Sequence, residues 1–121
     1  MIQAATPALI LASASTARRA VLEGAGLRFG IRVAGVDEAA IKEAAQAEGL
    51  TPEDAALLLA DAKAERVAAR APDALVIGAD QLLVCEGAWF DKPPDMAAAR
   101  AHLQRLRGRA HELVTALVCH R

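Results

Sequence analysis

The run from Leu75 to Glu86 (LVIGADQLLVCE) reads as a long strand, and it carries an aspartate in its middle. Asp80 has apolar residues on both sides, and an ionised carboxylate inside a sheet is costly unless a cation or donors compensate it. Gly78 points to the same face and leaves space over it, as a close-approaching ligand requires. Asp80 is therefore a candidate for metal ligation or for activating water. The plainer reading is a strand-edge carboxylate facing solvent.

Around this strand the chain alternates. Ala8 to Ala12 forms a short buried strand, and Ser15 opens a helix to about Ala25, closed by Gly26. Phe29 to Val33 reads as a strand, with Val36-Asp37-Glu38 in the loop or short segment after it. Thr51-Pro52-Glu53-Asp54 starts a helix that runs to about Ala71: a Thr cap, Pro in the first turn and acids against the dipole's positive end. Trp89-Phe90 begins a returning strand after Gly87. Pro94 and Asp95 open a third helix with Met96, Ala99, Leu103 and Leu106 on one face, ended by Gly108. Glu112 to Cys119 is a last strand. The order β-α-β-α-β-β-α-β predicts one α/β domain over residues 1–121, a mixed sheet flanked by helices.

Apolar residues make up 55% of the 121 but aromatic ones only 2%, so alanine, leucine and valine must fill the core. With 14 basic and 15 acidic residues the chain lacks the basic face of a polynucleotide binder, yet a few focused cations suffice for a small anion. Cys85 and Cys119 read as reduced, buried thiols, and nothing suggests an oxidising compartment. The apolar start lacks a basic leader, and no run approaches membrane-spanning length, so a soluble, cytoplasmic protein with no membrane partner is expected.

Several cations stand where they cost something. Arg18 and Arg19 oppose the dipole in the first turn of their helix. Arg18 falls on the stripe of Val21, Leu22 and Ala25, which makes sense if an anion occupies that helix end. Ser13, Ser15, Thr16, the backbone N–H groups and the guanidinium then form a phosphate cradle. The alternative is that Ser15 merely caps while Arg18 pairs with a carboxylate such as Glu38. Lys63 lies in an apolar arc with Leu59, Ala60 and Val67, either snorkelling or serving an anion. Lys92, before Pro93-Pro94, is a cation that closes on a phosphate or is simply solvated. Asp37 and Glu38 form an acidic pair suited to a divalent ion or only to a loop surface. His102 is assigned nothing, and His111 and His120 have no Ser or Cys partner for a triad.

The ordered pieces resemble the Maf family. LILASASTARRAVLEGAGL resembles the opening of Maf proteins, a strand leading into Ser-x-Ser-Pro-x-Arg and a helix. VDE at Val36, LADAKA around Lys63, VIGADQ around Asp80, DKP at Asp91 and GRAHELVTAL from Gly108 follow in family order. The resemblance implies a Maf/inosine-triphosphatase-like fold and a cytoplasmic, usually dimeric nucleoside triphosphate pyrophosphatase dependent on Mg²⁺ or Mn²⁺. It implies Asp80 as the acid–base residue, Glu38 and Asp80 at the metal, and Ser13, Ser15, Arg18, Lys63 and Lys92 on the phosphates or base. Gln81 matches a base-selectivity position and is similar to the branch acting on 7-methyl-GTP; Ala17, at the second selectivity position, matches neither branch. Thr16 replaces the usual Pro, and Ala116 a Gly. The chain stops at Arg121 where family members continue into a further lobe, so the domain is expected to lack that lobe. A nucleotide-binding or division-regulating protein without turnover is the alternative expectation.

Overall fold

The computed structural model describes residues 2–121. Five strands and four helices follow in the order β1 (Leu9–Leu11), α1 (Thr16–Gly24), β2 (Gly30–Ile31), α2 (Glu38–Ala47), α3 (Pro52–Ala68), β3 (Leu75–Cys85), β4 (Ala88–Phe90), α4 (Met96–Leu106) and β5 (Glu112–His120). The strands form one mixed sheet. β1 runs parallel to β2 and β3, whereas β4 and β5 are antiparallel to β3.

The pairing around β3 shapes everything near it. β5 pairs with it from Val76 to Val84. On its other edge β1 pairs only as far as Ile77, and β4 only from Leu83. Leu75 donates to the Ala8 carbonyl and Ala12 donates to that of Ile77, so the odd-numbered residues turn their backbone groups toward this second edge. Between Ile77 and Leu83 the ladder on that side is open.

Helix α3 packs on the face that carries Val76, Gly78, Asp80 and Leu82. It begins as its sequence requires: the Thr51 hydroxyl accepts from the Asp54 amide at 3.1 Å, Pro52 needs no partner, and Glu53 and Asp54 face the dipole. Its buried stripe is mostly alanine, namely Ala55, Ala56, Ala60 and Ala64 with Leu59 and Val67. Small side chains let the helix lie close to the sheet. One hydrophobic cluster joins Ala64 and Val67 to Ile10, Ala12, Ala34 and Val76; the other joins Ala56, Leu59 and Ala60 to Ala45, Leu82 and Ala116. His120 Nε2 meets Asp61 Oδ1 at 2.6 Å and ties the end of β5 to the same helix.

Gly78 sits where helix and sheet touch. A Cβ there would lie 2.2 Å from the Ala60 carbonyl oxygen and 2.8 Å from Ala64 Cβ. The space expected above Gly78 for a ligand is therefore filled by α3, and the glycine exists for backbone packing.

Other expectations also need correction. Val36-Asp37-Glu38 is not simply a loop: the Asp37 side chain caps a helix, accepting from the Ala40 amide at 3.1 Å, and Glu38 is its first residue. The strand expected over Phe29 to Val33 is two residues long. Cys119 is exposed on the outer face of β5, while Cys85 is buried as expected. The apolar stripes of α1 and α4 are not core: neither helix has a buried residue, and Val21, Met96 and Leu103 are 71%, 84% and 68% exposed. α4 is instead held through Phe90, whose ring meets His102 edge-on at 5.1 Å and carries the Arg105 guanidinium at 4.6 Å. Among the described residues no helix is long and apolar enough to cross a membrane.

Gly78→Ala is expected to lower unfolding free energy by about 3 kcal/mol, the upper part of the usual overpacking range, because the obstructing atoms include helix backbone. Urea denaturation of the two proteins checks this.

Candidate active site

The chain leaves β1 at Leu11 and reaches Ser13, whose hydroxyl organises the turn into α1. Ser13 Oγ accepts from the Ser15 amide and from Arg18 Nη1, both at 3.1 Å. Ser15 Oγ accepts from the Arg18 amide at 3.2 Å and is the N-cap. Ser13 is buried and Arg18 half-buried. The two serines thus clamp both ends of the arginine residue at the positive end of the helix. Arg18 forms no ion pair among the described residues, so the suggested pairing with Glu38 is not made.

Glu38 belongs to another group. Lys63 Nζ lies 2.7 Å from Glu38 Oε1 and 2.9 Å from Asp80 Oδ1. Lys63 reaches Asp80 because α3 is pressed onto β3 on either side of it, at Ala60 and Ala64. Asp80 is only 5% exposed, and its Oδ2 is buried without a hydrogen-bond partner. Lys63 does not snorkel to solvent: both its contacts are carboxylates of the chain itself.

Gln81, next in the chain, points to the other face of β3. Its Nε2 donates to Thr115 Oγ1 at 2.8 Å, directly across the β3–β5 register. By the parity of β3 this is a pair without mutual backbone bonds, the kind in which side chains stand closest.

One cleft joins these parts. It is lined by Ser13, Ser15, Arg18, Glu38, Lys63, Asp80, Gln81 and Lys92 together. Side chains from opposite faces of β3 reach it because it straddles the open edge between β1 and β4. Ala17, expected at a selectivity position, is exposed on α1 and does not line the cleft. Ala14, Ala39, Lys42, Phe90 and Asp91, none of them assigned a site role from the sequence, line it as well. Lys42 Nζ bonds Asp91 Oδ1 at 2.7 Å and so fastens α2 to the segment bearing Lys92. The missed signal was the helix: DEAAIKEAAQAEG has an Asp cap, an alanine-rich body and a terminal glycine, and it sets Lys42 one turn after Glu38.

The sequence model of a family described as Maf-like protein matches residues 8–121. The chain belongs to the Maf-like family. A nucleoside triphosphate pyrophosphatase of Granulibacter bethesdensis is 58% identical over 111 residues, 92% of this chain and 56% of that protein. One of Paramagnetospirillum magneticum is 53% identical over 90% of this chain and 56% of its own length. A 7-methyl-GTP pyrophosphatase of Rhizobium meliloti is 50% identical over 93% and 56%. The chain therefore spans about half the length of the curated Maf-like relatives it matches.

Ser13→Ala is expected to cost about 1 kcal/mol, the net worth of an ordinary internal hydrogen bond, because the Ser15 amide and the Arg18 guanidinium lose their shared acceptor. The shift in urea midpoint measures it.

Proposed function

We propose that this cleft hydrolyses a nucleoside triphosphate to its monophosphate and pyrophosphate. The observation that carries the reading is a buried carboxylate with an unpartnered oxygen, Asp80 Oδ2, in the same cleft as the Ser13–Ser15–Arg18 clamp. The first is an acceptor short of a donor or cation; the second is a cation and a helix N-terminus short of an anion. A triphosphate and its attacking water satisfy both. The Maf-like relatives, named as nucleoside triphosphate and 7-methyl-GTP pyrophosphatases, support this reading.

Arg18, Ser13, Ser15 and Lys92 bind the phosphate chain, which is how a few fixed charges orient a flexible anion. Asp80 accepts the proton of a water that attacks the α-phosphorus. A new P–O bond forms there, the bond to the bridging oxygen breaks, and pyrophosphate leaves with that oxygen. Gln81 meets the base at the rim, and the relatives that act on 7-methyl-GTP favour a modified guanine among the substrates.

A divalent ion, Mg²⁺ or Mn²⁺, fits the donors present. No group of three or more His, Cys, Asp or Glu gathers among the described residues. Glu38 and Asp80 supply two carboxylates, and one of them ends in the unpartnered Oδ2. That set suits an ion held by one or two carboxylates and completed by substrate phosphates and water. When bound, such an ion neutralises charge on the phosphates and on the leaving group.

Pyrophosphate release from a panel of nucleoside triphosphates, 7-methyl-GTP included, is expected with Mn²⁺ and is expected to vanish with a chelator. Asp80→Asn should lower kcat by roughly 10² to 10⁴-fold, the usual worth of a positioned general base, while nucleotide still binds by calorimetry. Equal turnover by wild type and variant would rule out the assigned role. Arg18→Ala should instead raise KM by about tenfold or more, as loss of one charge-assisted contact does.

A further inference from the structure

Lys63 divides one ammonium between two carboxylates. Its Nζ stands 2.7 Å from Glu38 Oε1 and 2.9 Å from Asp80 Oδ1, and the lysine side chain is 12% exposed. One positive charge thus faces two negative ones, and Asp80 Oδ2 is left buried with no partner. The cluster is short of positive charge as it stands. Adding a divalent ion to both carboxylates while the ammonium stays in place would set three positive charges against two negative ones, all within contact distance.

We infer that Lys63 is an exchangeable counter-ion: it holds Glu38 and Asp80 together until a divalent cation arrives, then leaves at least one of them. The inference rests on the divalent ion of the proposed reading. The geometry says which partner moves. Asp80 is fixed in β3, paired with Ala116 of β5 across the ladder. Lysine presents a point charge on a flexible four-carbon stem, with no fork geometry to lose when it swings. Lys63 also lines the same cleft as Ser13 and Arg18, so a displaced ammonium has the phosphate cradle within the same space. Charge enters at the carboxylates with the cation and is handed on, as ammonium, toward the phosphates. One lysine then accounts for both an acid centre assembled in advance and a phosphate contact made only with the metal complex.

The test uses Mn²⁺ alone, without nucleotide. Without the ammonium the two carboxylates repel, so Lys63→Met should have a lower Tm than wild type in chelator. Mn²⁺ should raise that Tm by more than it raises the wild type's. Mn²⁺ affinity, read from the paramagnetic resonance signal of the unbound ion, should tighten about tenfold or more, because a competing positive charge has been removed at contact range. Affinity that is unchanged or weaker in Lys63→Met overturns the inference. If that variant folds only with Mn²⁺ present, recovery of its near-ultraviolet circular dichroism on adding Mn²⁺ is itself the expected result, and no recovery counts against it. Glu38→Gln leaves lysine and aspartate one to one; it should bind Mn²⁺ about tenfold more weakly with a Tm near that of wild type. Wild-type affinity in Glu38→Gln would mean that the two carboxylates do not share the ion. No readout here is turnover. Tightened Mn²⁺ binding in a protein that releases no pyrophosphate would sink the proposed activity and leave the exchange standing.

Discussion

Helix α3 lies against β3 at a distance set by what is missing from Gly78. The Ala60 carbonyl and the Ala64 methyl occupy the place a side chain would need, so the helix backbone rests almost on the strand. That approach carries Lys63 to within 2.9 Å of Asp80. A larger residue at position 78 would lift the helix and draw the ammonium away with it. The charge arrangement is thus a consequence of a packing constraint. Hydrophobic clusters flank this seam and both partners are largely buried, which strengthens the attraction and raises the cost of breaking the pair.

Charge in the cleft is sorted. Lys63 is occupied by Glu38 and Asp80, and Lys42 by Asp91. Arg18 and Lys92 have no carboxylate among the described residues. The acidic groups hold the other two lysines, while Arg18 stands at the N-terminus of α1, where an anion gains from helix dipole and guanidinium together. A chain of nearly balanced net charge can in this way present a strongly signed local surface.

Much of this was legible from residue types. The Thr-Pro-Glu-Asp start of α3, the Ser15 cap and the length of β3 follow from capping and patterning rules, and the structure has them within a few residues. Asp80 stood out because a carboxylate in an apolar strand needs a partner. What was not legible is mostly long-range. Gly78 carries the same sequence signal whether a ligand or a helix lies over it. The stripes of α1 and α4 have helical periodicity, but periodicity says only that a face is apolar, not that anything covers it. Cys119 follows the same logic on β5: alternation separates the faces without saying which one meets α3. Helix α2 was a different kind of miss. Its capping aspartate and alanine-rich body are local signals, but an adjacent Asp37-Glu38 pair suits an ion as well as it suits a helix start.

The open stretch of β3 makes neighbours in the chain unequal. Asp80 is locked inward by an ammonium and by a strand paired across it, so replacing it breaks a buried ion pair and leaves Lys63 with Glu38 alone. Gln81 stands one residue away on the exposed side, fastened to Thr115 by a single hydrogen bond. Positions that share a cleft therefore differ sharply in how freely they can drift. A change at 81 costs one exposed hydrogen bond, whereas a change at 80 reaches the ammonium, the strand and the helix at once.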